Sequence, residues 1–414
     1  MKILVVCQYY YPESFKVTDV CEALAADGHE VSVLTGKPNY PTGIVPEEYL
    51  GSEHDDEMIN GVHVYRAYER GRGKGAVNLA INYASFYFSA MKLVKKMDKD
   101  FDIVFSYQLS PIFMALPARW YKKKYNVPMF LYCSDLWPES LKVYLKSESN
   151  PVFKWVKRVS KKVYDSADRI ATQSDVFVDY LREIHNISDD KLKYIPNFAD
   201  ENYLKEDFTP DDDSVDFMFM GNVGVAQNVE EVAECFIEAV KRTENMEIKS
   251  DNRLKADIRL HIVGGGVKLD DVKKLVDKED KEIREKIIFY GQRPQEEMPN
   301  FYKRADVCIV SLKADNKIGL TLPAKVQGYM AAGKPVLGMI DGSCQKVIGD
   351  ANCGMCVGSA DKEGMINAFV TLAKNRGDLK VFGENSREYF IKNFRKDIHI
   401  KAVEKELELC MKTK

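Results

Sequence analysis

A chain of 414 residues, 45% of them hydrophobic and 30% charged, is too long for one ordinary core at roughly 150 residues per domain and predicts two domains. It has no low-complexity tract, Met1 leads straight into an apolar strand, and no signal peptide is expected. The nine cysteines are scattered through apolar segments, Cys7, Cys133 and Cys308 among them, as in a reduced cytosolic protein rather than a disulfide framework.

The net charge of −3 conceals an asymmetry: between Tyr65 and Ile170, Lys and Arg outnumber Asp and Glu by 20 to 9. The cations are Arg66, Arg70, Arg72 and Lys74, then Lys122 to Lys124, then Lys142, Lys146, Lys154, Lys157, Arg158, Lys161 and Lys162. Val, Phe, Trp155 and Tyr are interleaved with them at helical spacing. That pattern suits an anionic membrane face better than nucleic acid, with a solvated charged surface as the plain alternative.

In chain order, Ile3–Cys7, Glu30–Thr35, Val62–Tyr68, Ile103–Ser106, Met129–Cys133, Arg169–Thr172 and Lys193–Ile195 read as strands, separated by helical segments such as Val17–Asp27 and Pro111–Tyr125. Such alternation predicts a parallel sheet with helices on both faces. The uncharged stretch Gly75 to Met91 carries Asn78, Asn82, Ser85 and Ser89 on one helical face. This stripe argues against a membrane span and leaves a buried helix of the first domain or a helix that meets lipid. Asn197 to Ser214, with Pro210 and Asp211 to Asp213, breaks the pattern and predicts a linker. Strands at Val215–Met220, Ile258–Val263, Ile287–Tyr290, Val307–Ser311 and Val336–Met339 then restart it, and helices at Met365–Asn375 and Ser386–Met411 close the chain. Periodicity alone thus predicts α/β architecture with two Rossmann-like halves in tandem.

Leu322 to Val336 is the most informative segment. Pro323 marks a helix start, Gly333-Lys334-Pro335 a stop, and the free N–H groups of such a helix after a parallel strand make an anion site. Met220-Gly221-Asn222-Val223-Gly224 and His261-Ile262-Val263-Gly264-Gly265-Gly266 place further glycine turns at strand ends, where a doubly wound sheet binds ligands. Asp98, Asp100 and Asp102, Asp211 to Asp213, and the lone pair Cys353 and Cys356 read as turns and packing rather than metal ligands.

The order and wording of these pieces resemble retaining glycosyltransferases of the GT-B fold, the family-4 type. The matching pieces are Tyr10 to Glu13, Asp27 to Gly36, Pro38 to Gly43, Ser134 to Leu141, Ile195 to Asn197, Gly221 to Gly224 and Pro323 to Pro335. Asn39-Tyr40-Pro41 and Asp135-Leu136-Trp137-Pro138-Glu139 are similar to the branch that builds capsule, colanic acid or O-antigen repeats, including N-acetylfucosaminyl transferases.

The resemblance implies two Rossmann-like domains facing a cleft: an acceptor domain at 1–200, a nucleotide-sugar domain at 201–390, and a C-terminal helix at 391–414 returning to the first. Gly221, Asn222, Gly224, Gly265, Arg293, Gly319, Leu320, Thr321, Pro323 and Lys325 would hold the donor, and Tyr11, Glu13, Asn39 and Tyr40 the acceptor. Asp135, Glu139 and Lys325 would be catalytic; Asp135 and Glu139, four apart, would share a helix face if Pro138 opens one. The implied substrates are a nucleotide-diphosphate sugar, UDP-linked by resemblance, and a polyprenyl-diphosphate-linked saccharide. No metal or other cofactor is expected, and the protein would work from the cytoplasm as a peripheral protein of the inner membrane face.

The chain departs from the family pattern in four places. Asn222 and Gln227 stand where an Arg and a Lys usually meet the diphosphate, Gly328 where a carboxylate usually binds ribose, and Ser134 where a His usually precedes the Asp. Lys325 is the first choice as substitute cation, followed by Arg293, Lys313 and Lys317, with Lys334 at the helix's far end disfavoured. A non-catalytic nucleotide-sugar-binding protein and a nucleotide-sugar epimerase are the alternative functions.

Overall fold

The computed structural model describes residues 1–143, 145, 147–210, 214–245, 257–314 and 317–412. Lys146, Asp211 to Asp213 and the side chain of Lys317 lie outside the described residues. The chain divides into two compact units, Met1–Pro196 with His399–Lys414, and Asn197–Ile398.

In the first unit the described strands are β1 (Lys2–Val6), β2 (Glu30–Thr35), β3 (Asp56–Ile59), β4 (Val62–Arg66), β5 (Ile103–Gln108), β6 (Met129–Cys133), β7 (Arg169–Thr172) and β8 (Leu192–Tyr194). They order as β3-β4-β2-β1-β5-β6-β7-β8, and every pair is parallel except β3 with β4. Ile3, Leu4, Val5 and Val6 are all fully buried, as expected where helices cover both faces of a central parallel strand. The terminal helix Lys396–Lys412 is fastened to this unit by hydrogen bonds from His399 Nδ1 to the Pro196 carbonyl (2.8 Å), between His29 and Glu404 (2.8 Å), and from Arg169 to the buried Glu406.

The second unit has β9 (Val215–Met220), β10 (Ile258–Val263), β11 (Ile287–Gly291), β12 (Val307–Ser311), β13 (Val336–Met339) and β14 (Gly354–Val357), ordered β11-β10-β9-β12-β13-β14 and all parallel. Strand β9 feeds two cores. Phe217 and Phe219 pack with the helices Val229–Asn245 and Lys362–Lys374, and Met218 and Met220 pack on the opposite face with Tyr302, Val326 and Tyr329.

Several expectations change. The segment from Asn197 to Pro210 is not a free linker: it forms a 3-10 turn at Glu201–Lys205, buries Phe208, and gives the Phe208 carbonyl to Lys334. The last helical stretch is two helices, Arg376–Asn393 and Lys396–Lys412, because Glu201 accepts from the Lys396 N–H (2.7 Å) and caps a new start. Pro111 to Tyr125 likewise divides into a 3-10 turn, Ile112–Ala115, and the helix Leu116–Tyr125. Strands β3 and β14 were not expected. β14 runs through the Cys-x-x-Cys segment, whose thiols are free; Cys353 is buried and Cys356 partly so. Asp98 and Asp100 pair with the Lys2 ammonium at 3.1 and 2.9 Å, and Asp102 accepts from the Lys2 N–H.

Candidate functional site

The carboxyl edge of the second unit's sheet is built from interlocked glycine turns. Gly221 and Gly264 both have positive φ (+136° and +143°), and a Cβ on Gly264 would stand 1.8 Å from the Gly221 carbonyl oxygen. Only glycine permits that approach. The N–H groups of Gly221, Val223 and Gly264 donate to the carbonyls of Val263, Gly265 and Gly291, each at 2.8 Å. These donors hold turn to turn. Among the described residues the N–H groups of Asn222, Gly224, Gly265 and Gly266 have no protein acceptor.

Lys325 occupies the first turn of the helix Ala324–Ala331, after Pro323. Its ammonium lies 4.1 Å from the centre of the Phe219 ring and against Gly221, where a Cβ would come within 2.6 Å of Nζ. No acidic group pairs with it among the described residues, and burial pushes its pKa down to about 8. An ammonium desolvated without a counter-charge at a strand's carboxyl end is suited to an incoming anion.

The neighbouring positions explain the departures from the family pattern. Asn222 donates its amide to Gln227 Oε1 (3.3 Å) across Gly224, whose Cβ would lie within 2.7 Å of both side chains. A neutral amide pair thus stands where the family pattern has cations. Gly328 is buried, and its Cβ would lie 3.0 Å from the hydroxyl of Tyr302, itself buried. A side chain at 328 would therefore press on that hydroxyl.

Gly319 and Leu320 sit in a loop fixed by two backbone approaches, Gly319 against the Lys313 carbonyl and Gly342 against the Leu320 carbonyl, where a Cβ would come within 2.1 and 2.3 Å. Arg293 is turned onto its own loop, donating to the Tyr290 carbonyl (3.1 Å) with Glu297 3.8 Å away. That arrangement weakens its standing as a substitute cation. Lys334 precedes β13, at the opposite edge of the sheet, and is spent on the carbonyls of Phe208 and Ala305.

In the first unit, Asp135 follows β6 and its Oδ2 accepts from Ser110 Oγ (2.6 Å), which itself receives the Trp137 indole N–H (3.0 Å). Burial raises the Asp135 pKa, and the Ser110 hydrogen bonds oppose the shift. Glu139 does not share this environment. It opens the 3-10 turn Glu139–Val143, accepts from the Tyr180 hydroxyl (2.9 Å), and pairs with Lys142 (2.7 Å). The expected common face of Asp135 and Glu139 is absent because the turn after Pro138 sends the second carboxylate into the pocket of Leu136, Phe177 and Tyr180. Trp137 is buried, a packing residue.

The acceptor candidates sort by exposure. Glu13 is buried and its Oε1 receives the N–H groups of Asn39 (2.8 Å) and Tyr40 (2.6 Å), so it shapes the loop after β2 from below; burial raises its pKa. Asn39 is buried too. Tyr11 and Tyr40 are exposed, and the Arg72 guanidinium lies over the Tyr40 ring at 5.5 Å.

Sequence reading missed Glu69. It is 1% exposed, and its Oε1 receives amide N–H groups from Gln8 (2.8 Å), Asn39 (3.1 Å) and Asn82 (2.7 Å). Burial pushes its pKa up to about 8. Gly36 makes room for it: a Cβ there would stand 1.7 Å from Glu69 Oε2.

Two family models now account for these two edges. Residues 17–203 match Glycosyltransferase Family 4 and residues 201–396 match Glycosyl transferases group 1. The chain belongs to the GT-B glycosyltransferases. An uncharacterized glycosyltransferase of Methanocaldococcus jannaschii is 23% identical over 61% of the chain, and the probable glycosyltransferase WbjE of Pseudomonas aeruginosa is 26% identical over 64%. The alignments span 61% and 63% of those relatives' own lengths. Sucrose-phosphate synthase from Thermosynechococcus elongatus superposes with a TM-score of 0.68 at 16% identity, covering 100% of this chain and 99% of that one. Anabaena HepE in complex with UDP gives 0.67 at 12% identity, covering 99% and 100%. At such identities the structures establish the GT-B fold of this glycosyltransferase. No helix among the described residues is long and apolar enough to cross a membrane.

Proposed function

We propose that this glycosyltransferase moves a sugar from a nucleotide-diphosphate donor to a polyprenyl-diphosphate-linked saccharide with retained anomeric configuration, as a step in surface polysaccharide synthesis of the capsule or O-antigen kind. The observation that carries the reading is Lys325, a half-buried ammonium held against Gly221 with no acidic partner among the described residues. A leaving diphosphate supplies the missing negative charge, and the N-terminus of Ala324–Ala331 adds its dipole. UDP is the carrier of choice because HepE, which shares the fold, binds it. The turns at Gly221, Asn222, Gly224 and Gly265, the loop at Gly319 to Pro323, and Arg293 at the base-binding turn would seat the rest of the donor; the leaving charge is assigned to these groups and to no metal.

Asp135 is the group assigned to the reacting centre, where it would orient the acceptor hydroxyl and steady positive character at the sugar carbon. Tyr11 and Tyr40 would meet the acceptor directly, with Glu13 and Asn39 shaping their loops. A lipid-linked acceptor places the protein on the cytoplasmic membrane face, where each Lys or Arg near an anionic surface adds about 1 kcal/mol.

The test is incubation with a panel of nucleotide sugars, with and without lipid-linked saccharide, following free nucleoside diphosphate and the anomer formed. Diphosphate release that requires acceptor supports the reading. Binding without turnover would instead identify a nucleotide-sugar-binding protein, for which the Asn222–Gln227 amide pair speaks; a changed sugar without release would identify an epimerase.

A further inference from the structure

The helix Ala76–Leu93 buries Phe86, Ala90 and Asn82 against its unit and leaves a second apolar face turned outward. A surface helix ordinarily turns its apolar stripe to the core and its charges to water. Here the polar stripe is also bonded to protein, along one flank of the buried side. Asn82 is fully buried on Glu69, Ser85 Oγ accepts from the Arg70 N–H (3.0 Å), Ser89 Oγ donates to the Tyr68 carbonyl, and Asn78 donates to the Lys74 carbonyl (2.8 Å). These bonds satisfy the backbone of the segment leading into the helix, so it cannot roll over without unpairing them.

The outward face is apolar. Val77 is 75% exposed, Phe88 70% and Ile81 39%, and their spacing of four and seven puts them on one face, with exposed Ala76, Ala80 and Ala84 beside them. No charged residue occurs from Gly75 to Met91. Cations bracket the face instead: Arg70, Arg72 and Lys74 before it, Lys92, Lys95 and Lys96 after it. None of the six forms a salt bridge among the described residues, although Arg72 lies over the Tyr9 and Tyr40 rings and Lys95 over Trp120; other members of the basic cluster are taken: Arg66 by Glu57, Lys122 by Asp168, Lys142 by Glu139 and Glu148, and Lys161 by Asp165.

We propose that this face is the membrane-docking element: Val77, Ile81 and Phe88 enter the headgroup–acyl boundary of an anionic bilayer, and the six flanking cations meet lipid phosphates. The inference rests on the reading of an anionic membrane as partner and names the element that makes the contact. Charge selects the occupant. A second copy of the chain would bring the same positive charges to the contact, whereas an anionic lipid surface neutralises both ends and covers the apolar middle. The helix lies in the boundary and does not cross it, because its polar side is bonded to protein.

The test is vesicle flotation of the whole protein, using phosphatidylcholine alone or with about a third phosphatidylglycerol, at low and high salt. Three forms are compared: wild type, the triple Val77→Ser, Ile81→Ser, Phe88→Ser variant, and the triple Lys92→Gln, Lys95→Gln, Lys96→Gln variant. All six side chains replaced are surface groups, and circular dichroism with Tm verifies that each form is folded. Wild type floats with the anionic vesicles and keeps part of its binding in high salt. The serine variant loses about tenfold or more in partition and all of the salt-resistant part; the glutamine variant, which removes three of the six cations, loses about half of the salt-sensitive part. Wild-type partition retained by the serine variant overturns the docking helix and leaves the membrane reading standing. Failure of wild type to float with anionic vesicles overturns both. A wild-type dimer abolished by the serine changes, with flotation untouched, assigns the face to a second copy and overturns the proposal.

Discussion

The ammonium of Lys325 rests against the backbone of Gly221, so close that a single methyl group on that glycine would stand 2.6 Å from Nζ. Two segments more than a hundred residues apart thereby create one cationic point at the end of β9. Lys325→Met removes the charge and keeps the packing over Phe219. UDP affinity by calorimetry should fall about 10- to 100-fold, the range of one charged hydrogen bond. The wild-type affinity should also decline as pH rises from 7 through about 8, where the ammonium loses its proton, while the variant stays flat across the same interval.

Asp135 and Glu139 separate by experiment. Asp135→Asn keeps shape and the Ser110 contact but removes the charge, and turnover with donor and acceptor should drop about 10²- to 10⁴-fold with little change in Tm. Glu139→Gln disturbs the Tyr180 and Lys142 partners and should instead cost about 1–3 kcal/mol in urea unfolding, with turnover of the folded fraction retained.

Glu69 predicts a pH-dependent stability. Its folded pKa of about 8 lies above the ordinary carboxyl value of 4.5, so the native state binds the extra proton between those values and stability falls as pH rises from 4.5 to about 8. Glu69→Gln holds the amide network without a titrating proton. The difference in unfolding free energy between wild type and variant should therefore shift against wild type, on the order of a few kcal/mol, across that window. A flat difference would mean that the carboxyl is ionised throughout.

Two glycines with opposite surroundings test the interlocked turns. Gly264→Ala meets the Gly221 backbone at 1.8 Å and an unfavourable φ, and should destabilise by about 2–5 kcal/mol. Gly349→Ala, in the helix Ser343–Ala351 with nothing within 4 Å, should be neutral or stabilise by up to about 1 kcal/mol. Thermal and urea unfolding of the two variants reads both.

Much of this architecture was legible because parallel sheets announce themselves. Runs such as Ile3 to Cys7 and Val307 to Ser311 are apolar on both faces, and the glycines and Pro323 punctuate their ends. Lys325 was legible for the same reason, as a cation in the first turn of a helix after a strand. Three things were not. Glu139 was misplaced because spacing along a chain says nothing of the direction a 3-10 turn gives the side chain. Glu69 was invisible because its burial depends on three amides from distant segments. The helix at Ala76 showed its stripe plainly, but the pattern alone is symmetric between polar side in and polar side out; only the carbonyls and N–H groups of residues 68 to 74 break the tie.

Tyr302 gives the family's ribose position a history of its own. Because its hydroxyl stands 3.0 Å from where a side chain at Gly328 would begin, a carboxylate cannot return there by one substitution without crowding a buried phenol. Tyr302→Phe, which removes that hydroxyl, should therefore ease a substitution at Gly328. The two positions are coupled, so a change at either should be read together with the residue at the other.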